Sequence, residues 1–263
     1  MYAINKKGLK EFTPRSEDVC GIEDGSTNTY LQKNRAVEDF LKTIEPKYNA
    51  AVEKLADNRI DEECIRTIAG FVAYVISCSP AGMQKHSNAL QSAFERKPVM
   101  LDSLGLTPTP PPELGGMNLT EICKKGFAEV DRDPKFPQAI GIASMDKNAA
   151  MFGNFRWELL RNDFEDSAYF TSDYPVAVET TSDPSVMNRI IPLLPSLAIR
   201  IRPDREIDRE RTDFTFAHFD CLSRRLKRGQ VAQINRLIVR CADELVFFRD
   251  NHPWVSGFVR KNS

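Results

Sequence analysis

Phe155-Arg156-Trp157-Glu158-Leu159-Leu160 is the stretch on which the fold turns. Before it, apolar residues recur every three or four positions. Within it, Phe155, Trp157 and Leu159 alternate with Arg156, Glu158 and Leu160. A helix advances about 100° per residue and a strand about 180°, so this change of period marks the passage from a helical half to a half-buried strand.

Upstream, Val37, Phe40, Leu41, Ile44, Tyr48, Val52 and Leu55 recur at spacings of three and four, which gathers them on one helical face. Pro46 falls inside this run. It lacks an amide donor and crowds the preceding turn, so a kink or a restart is expected there. A second helix should begin near Asp61, with Asp61, Glu62 and Glu63 at its positive end. Its interior, Ile65 to Ile76, is apolar on most sides, as suits a central helix. Ser79-Pro80 reads as a stop and a start, with Ser as cap and Pro at the first position of a third helix. That helix should run to about Arg96 with Met83, Leu90 and Phe94 inward. The segment 98–118 carries Thr107-Pro108-Thr109-Pro110-Pro111-Pro112 and Gly115-Gly116, which predicts a long ordered loop. Helical signals resume over Leu119 to Val130 and Pro137 to Ala150.

Tyr2 to Ile4 and Leu197 to Ile201 read as further strands, with a turn at Lys7-Gly8. Val231, Ile234, Ile238 and Cys241 place a helix over Gln230 to Glu244, and Leu245 to Phe248 and Trp254 to Val259 read as short extended pieces. The fold class is therefore α+β, with a mainly helical bundle in the first half and a small antiparallel sheet and a packed helix in the second. The expected organisation is a mainly helical part over 1–97, a Pro/Gly-rich loop over 98–118 and an α+β part over 119–263. These should pack as one compact unit.

The 263 residues, 41% of them hydrophobic, suffice for a full core. A net charge of −1 removes any global electrostatic case for nucleic acid or acidic membranes. None of the six cysteines falls in a Cys-x-x-Cys motif, which suggests free thiols in a reducing cytoplasm. The longest apolar run, Ile68 to Ile76, is far short of a membrane span. A cytoplasmic protein without membrane contact is expected; its oligomeric state is not legible.

Phosphate-loop, zinc-helix and nucleophile-elbow motifs are missing. His86, His218 and His252 are far apart in sequence, so no metal and no cofactor is expected. The chemistry concentrates in Tyr169-Phe170-Thr171-Ser172-Asp173-Tyr174-Pro175-Val176, where small polar residues interrupt apolar runs. Either Asp173 accepts from backbone amides and fixes a turn that Pro175 leaves, or it faces a cleft. In the second case Arg156 or Asn235 would stand nearby, and a carboxylate beside a guanidinium and hydroxyls could bind a phosphate-bearing or polar ligand. Ser172 is a weak nucleophile because no base sits at a recognisable spacing. Glu38 and Glu45 lie two turns apart on one helix and could be aimed at Asp173. Of the basic residues, Arg200, Arg202, Arg205, Arg209 and Arg211 are interleaved with acids, as in a solvated loop. Arg224-Arg225-Leu226-Lys227-Arg228 contains no acid and is the best phosphate or nucleic-acid footprint.

These residues resemble the domain of unknown function family numbered 4238. The likeness rests on Val37-Glu38 and Ile44-Glu45 in the first helix, the Trp157 strand, the Thr-Ser-Asp-x-Pro-Val segment from Thr171 to Val176, and Asn235 on the last long helix. It implies no activity. The chain departs from the family where members open with a His-Tyr-x-Pro stretch, and at Cys78-Ser79-Pro80, where they carry Arg-Thr-Pro. Two functions are compatible with this. One is a hydrolase or nuclease-like effector with Asp173, Arg156 and Glu38 as catalytic groups, and Thr171, Ser172, Asn235, Arg224, Arg225 and Arg228 on a phosphate-bearing small molecule or nucleic acid. The other is a non-catalytic module that binds a ligand, a nucleic acid or a protein. Convergence of Glu38, Arg156, Asp173 and Asn235 around a cavity would separate them.

Overall fold

The structure, a computed structural model, describes residues 1–15, 27–107, 113, 115–127, 135–208 and 212–263, without the side chains of 80 and 85–95. The helices are α1 (Ala36–Ala56), α2 (Glu62–Cys78), α3 (Pro80–Ser103), α4 (Leu119–Lys124), α5 (Lys135–Ala143), α6 (Met145–Asn154), α7 (Arg228–Cys241) and α8 (Trp254–Asn262). The strands are β1 (Tyr2–Asn5), β2 (Glu11–Phe12), β3 (Arg156–Arg161), β4 (Thr171–Ser172), β5 (Ala177–Thr180), β6 (Met187–Leu194), β7 (Leu197–Arg202), β8 (Asp220–Arg225) and β9 (Leu245–Phe248).

The change of period at Phe155 is the junction between α6 and β3. The α2 start is capped as its acids suggest, with Asp61 accepting from the Cys64 amide at 2.8 Å. Ser79 likewise accepts from the Gly82 amide at 3.0 Å and opens α3. Pro46 does not restart the helix; α1 runs on through it to Ala56. The third helix overruns the expected boundary, carrying Pro98 inside it and ending at Ser103. The helix expected to reach Val130 ends earlier, at Lys124 with Lys125 as its C-cap; Ala128 to Val130 lie outside the described residues, as do Pro108 to Pro112. Pro137 to Ala150 is two helices broken at Ser144. Trp254 to Val259 is helical rather than extended: Val255 and Val259 share the inner face of α8, four residues apart.

Two mixed-size sheets replace the single small antiparallel one. The first has order β2-β1-β9-β4, and the second β5-β6-β7-β3-β8. Within the second, β3 pairs antiparallel with β7 but parallel with β8. Alternation in β3, β6 and β7 sends side chains to two separate cores. Trp157, Leu159, Ile191, Ile199 and Ile201 face the helical layer and pack with Leu55, Ile68, Val72 and Phe152. Leu160, Ile190 and Ala198 face the other way, onto Val231, Ile234 and Ile238 of α7 and Val246 of β9. The second sheet is thus the middle layer between the helices and the first sheet with α7. Trp157 is fully buried and donates its indole N–H to the Phe152 carbonyl at 2.8 Å, which locks α6 to β3. At this contact Gly153 leaves room for Phe216; a Cβ there would lie 2.3 Å from the ring. The described cysteines, 64, 78, 123, 221 and 241, form no disulfide, and Cys20 lies outside the described residues. No described helix is long and apolar enough to cross a membrane.

Candidate functional site

The polar segment at Thr171 enters the first sheet as β4, with Thr171 opposite Phe247 and Ser172 opposite Val246 of β9. Asp173 then reaches the turn between α7 and β9. Its Oδ1 accepts from the Asp243 amide at 2.9 Å, and its Oδ2 from the amides of Glu244 and Leu245 at 2.7 and 2.9 Å. These donors lie about 70 residues away in sequence, so the carboxylate closes a tertiary turn rather than a local one. Ser172 donates its hydroxyl to the Tyr174 carbonyl at 2.7 Å, which rounds the corner into Pro175.

Asn235 is buried on α7 and clamps the strand leading to β4. Its Oδ1 accepts from the Phe170 amide at 3.0 Å, and its Nδ2 donates to the Ala168 carbonyl at 2.9 Å. It therefore neighbours the Thr171 segment but is bound to its backbone. Arg156 is elsewhere, at the start of β3, paired with Asp220 at 2.8 Å. Glu38 lies on α1 with Arg35, 2.5 Å away. Glu38, Arg156, Asp173 and Asn235 thus have separate partners. In the basic run, Arg225 pairs with Asp163 at 3.3 Å, and Arg228 pairs with Asp166 at 2.7 Å and covers the Phe164 ring. Arg228 and Asn235 do share a hollow of about 330 Å³ with Trp254 and Phe258.

A larger cavity, of about 400 Å³, opens beside the Thr171 segment. Tyr48 of α1 and Phe71 of α2 form one wall, with rings 4.7 Å apart. The end of β6 and the turn into β7 supply Pro192 to Pro195, the segment entering β4 supplies Phe170 and Thr171, and β9 supplies Phe247. Proline suits the turn because its fixed φ holds a rigid wall without adding a donor. Burial pushes the Tyr48 hydroxyl up to about 12. Tyr169 also lines the cavity, and its hydroxyl is buried with no hydrogen-bond partner among the described residues. Burial raises it strongly, so both phenols are neutral donors near neutral pH.

Two of the arginines expected in a solvated loop are the principal correction to the charge reading, while Arg205 does lie in an exposed loop. Arg200 and Arg202 belong to β7 and lie over a carboxylate that is 2% exposed, Glu158. Arg200 donates to Glu158 Oε2, and Arg202 to Oε1, each at 2.7 Å. Arg200 also pairs with Glu179 at 2.9 Å, and Asn188 donates to Glu179 at 2.8 Å. Burial alone would raise the Glu158 carboxyl, but the hydrogen bonds and charges of Arg200 and Arg202 hold it below the usual range. Sequence parity carried part of this signal: Glu158 alternates with Trp157 and Leu159, as Arg200 and Arg202 do with Ile199 and Ile201. Arg209 and Arg211 lie outside the described residues.

No group of three or more His, Cys, Asp or Glu among the described residues could hold a metal ion. His252 stacks on Trp254, and the His86 side chain lies outside the described residues. Residues 1–252 match the family model described as "Protein of unknown function (DUF4238)". No curated protein and no solved structure matches the chain.

Proposed function

The chain belongs to the DUF4238 family, which brings no activity with it, and we propose that it is a ligand-binding module whose cavity beside Thr171 and Pro175 takes a small apolar or aromatic molecule. The observation that carries this reading is the cavity itself. Its volume of about 400 Å³ falls in the range of small-molecule sites, and its walls combine aromatic rings with rigid prolines and a few polar atoms. Burying an apolar ligand there would release its hydration and that of the walls, at about 25 cal/mol per Å² of apolar surface.

The alternative, a hydrolase or nuclease-like effector at Ser172 and Asp173, finds less support. A general base must present a free lone pair to the proton it removes. Three backbone amides already take most of the acceptor sites of the Asp173 carboxylate and hold it in the turn, and Ser172 donates to a carbonyl with no histidine or lysine bonded to it among the described residues. Arg156 and Glu38 are engaged by Asp220 and Arg35.

The test is a fluorescence titration of the full chain with anilinonaphthalene sulfonate. Saturable binding is expected. Leu194→Trp, which places an indole at the cavity rim, should weaken it tenfold or more without lowering the thermal unfolding midpoint. Absence of saturable binding, or equal binding by the variant, would overturn the proposal.

A further inference from the structure

We propose that Arg202 and Arg224, converging on the buried Glu158 from opposite corners, form a binding site for a phosphoryl group of a small ligand. The register sets the geometry. Glu158 stands between Arg200 on β7 and Leu222 on β8, while Arg202 is opposite Arg156 and Arg224 is opposite Leu160. All these positions share one face of the sheet, because side chains alternate along each strand. Arg202 approaches Glu158 Oε1 to 2.7 Å, and Arg224 approaches Oε2 to 4.0 Å.

The charges do not cancel. Arg200, Arg202 and Arg224 face two carboxylates, Glu158 and Glu179. Arg200 is engaged on both sides, so the surplus positive charge falls to the other two. Their side chains are 49% and 61% exposed. Among the described residues Arg202 makes one hydrogen bond, through Nη1, and Arg224 makes none. Each guanidinium carries five N–H donors, so most remain for a solvent-side acceptor. By contrast, Arg156, Arg225 and Arg228 are each paired with their own aspartate.

Stability alone does not explain the buried acid. A buried ion pair is often no more stable than apolar residues of the same volume. What Glu158 provides and a leucine could not is a fixed anchor for flexible guanidiniums. Holding a long side chain before binding lowers the entropy lost when the ligand arrives. Two planar forks at one place match the several oxygens of a phosphoryl dianion better than they match a neutral ligand. This site shares no residue with the apolar cavity, so it stands independently of the function proposed above.

Isothermal titration of the full chain with inorganic pyrophosphate, at constant ionic strength, tests the proposal. Saturable binding at one site is expected. Arg224→Ala and Arg202→Ala should each raise Kd tenfold or more, and Arg202→Lys should also weaken binding because it keeps the charge but loses the fork. Arg225→Ala should change Kd less than twofold. Thermal unfolding of each ligand-free variant establishes that the fold is retained, which the exposure of Arg224 favours. No saturable binding, binding unchanged in Arg224→Ala, or equal weakening by Arg225→Ala would each overturn the site.

Discussion

Asp173 and Glu158 are both carboxylates ringed by donors, yet the donors differ in kind, and so do the consequences. Those on Asp173 are three backbone amides of the α7–β9 turn. They are fixed by the chain and carry no net charge, so the carboxylate and its partners form a closed structural unit. Glu158 is surrounded by guanidiniums, which bring full charges and more N–H groups than one carboxylate can accept. Backbone donors therefore close a polar cluster, whereas side-chain donors leave charge and hydrogen-bonding capacity directed outward. The Thr171-Ser172-Asp173 segment is conspicuous in sequence but inwardly committed. The β3–β7–β8 face is less conspicuous, and it retains unused donors.

The largest expected effect is on the closed unit. Asp173→Ala should lower the unfolding free energy by about 3 kcal/mol, since three amides lose an ionised acceptor and only partly recover with water. Urea unfolding measures this directly. A loss well under 1 kcal/mol would mean that the turn does not need its carboxylate, and the contrast with Glu158 would fail.

The second effect separates the two by pH. The Glu158 carboxyl is held below its usual range in the folded chain. Its ion pairs therefore contribute fully above the unfolded value, about 4.3, and their contribution is lost as pH falls through the lower folded value. Glu158→Gln should cost about 2 kcal/mol at neutral pH, less than the roughly 3–5 kcal/mol of a fully buried pair because Arg202 and Arg224 still reach water. The gap from the parent protein should narrow steadily as pH is lowered below the carboxylate range. Urea midpoints of both proteins across that acid range supply the check; a constant gap would show that shape rather than charge is what Glu158 contributes.

Much of the helical run from α1 to α3 was legible because its signals are local. Asp61 and Ser79 cap the helices they precede, and the switch of period at Phe155 marks the strand that follows α6. Pairing was not legible. Nothing in the sequence neighbourhood of Glu158 shows that Arg200 lies opposite it, because that depends on the β3–β7 register across some forty residues. The same applies to Asp173, whose partners are 243–245. Trp254 to Val259 misled because aromatic and β-branched residues favour strands on propensity, while burial of Val255 and Val259 on one helical face decided the outcome. The cavity was invisible for a related reason: its walls come from α1, α2, the end of β6, the segment around β4, and β9.

The smallest effect tests whether the polar segment behaves as one unit. Ser172 is buried, and its hydroxyl donates to the Tyr174 carbonyl at 2.7 Å. Ser172→Ala removes this one neutral hydrogen bond and leaves the Tyr174 carbonyl with the Val176 amide at 2.8 Å as its remaining donor, so the loss should be about 1 kcal/mol. Neither partner titrates between pH 4 and 8, so the loss should be the same across that interval, unlike that of Glu158→Gln. The double variant with Asp173→Ala makes the point sharper. If the serine bond exists to shape the chain for the carboxylate, the double variant will lose less than the sum of the two single losses, because removing Asp173 already frees the corner. Strict additivity would instead show two separate contacts that happen to be adjacent in sequence, and would remove the reason for treating this segment as a single structural device.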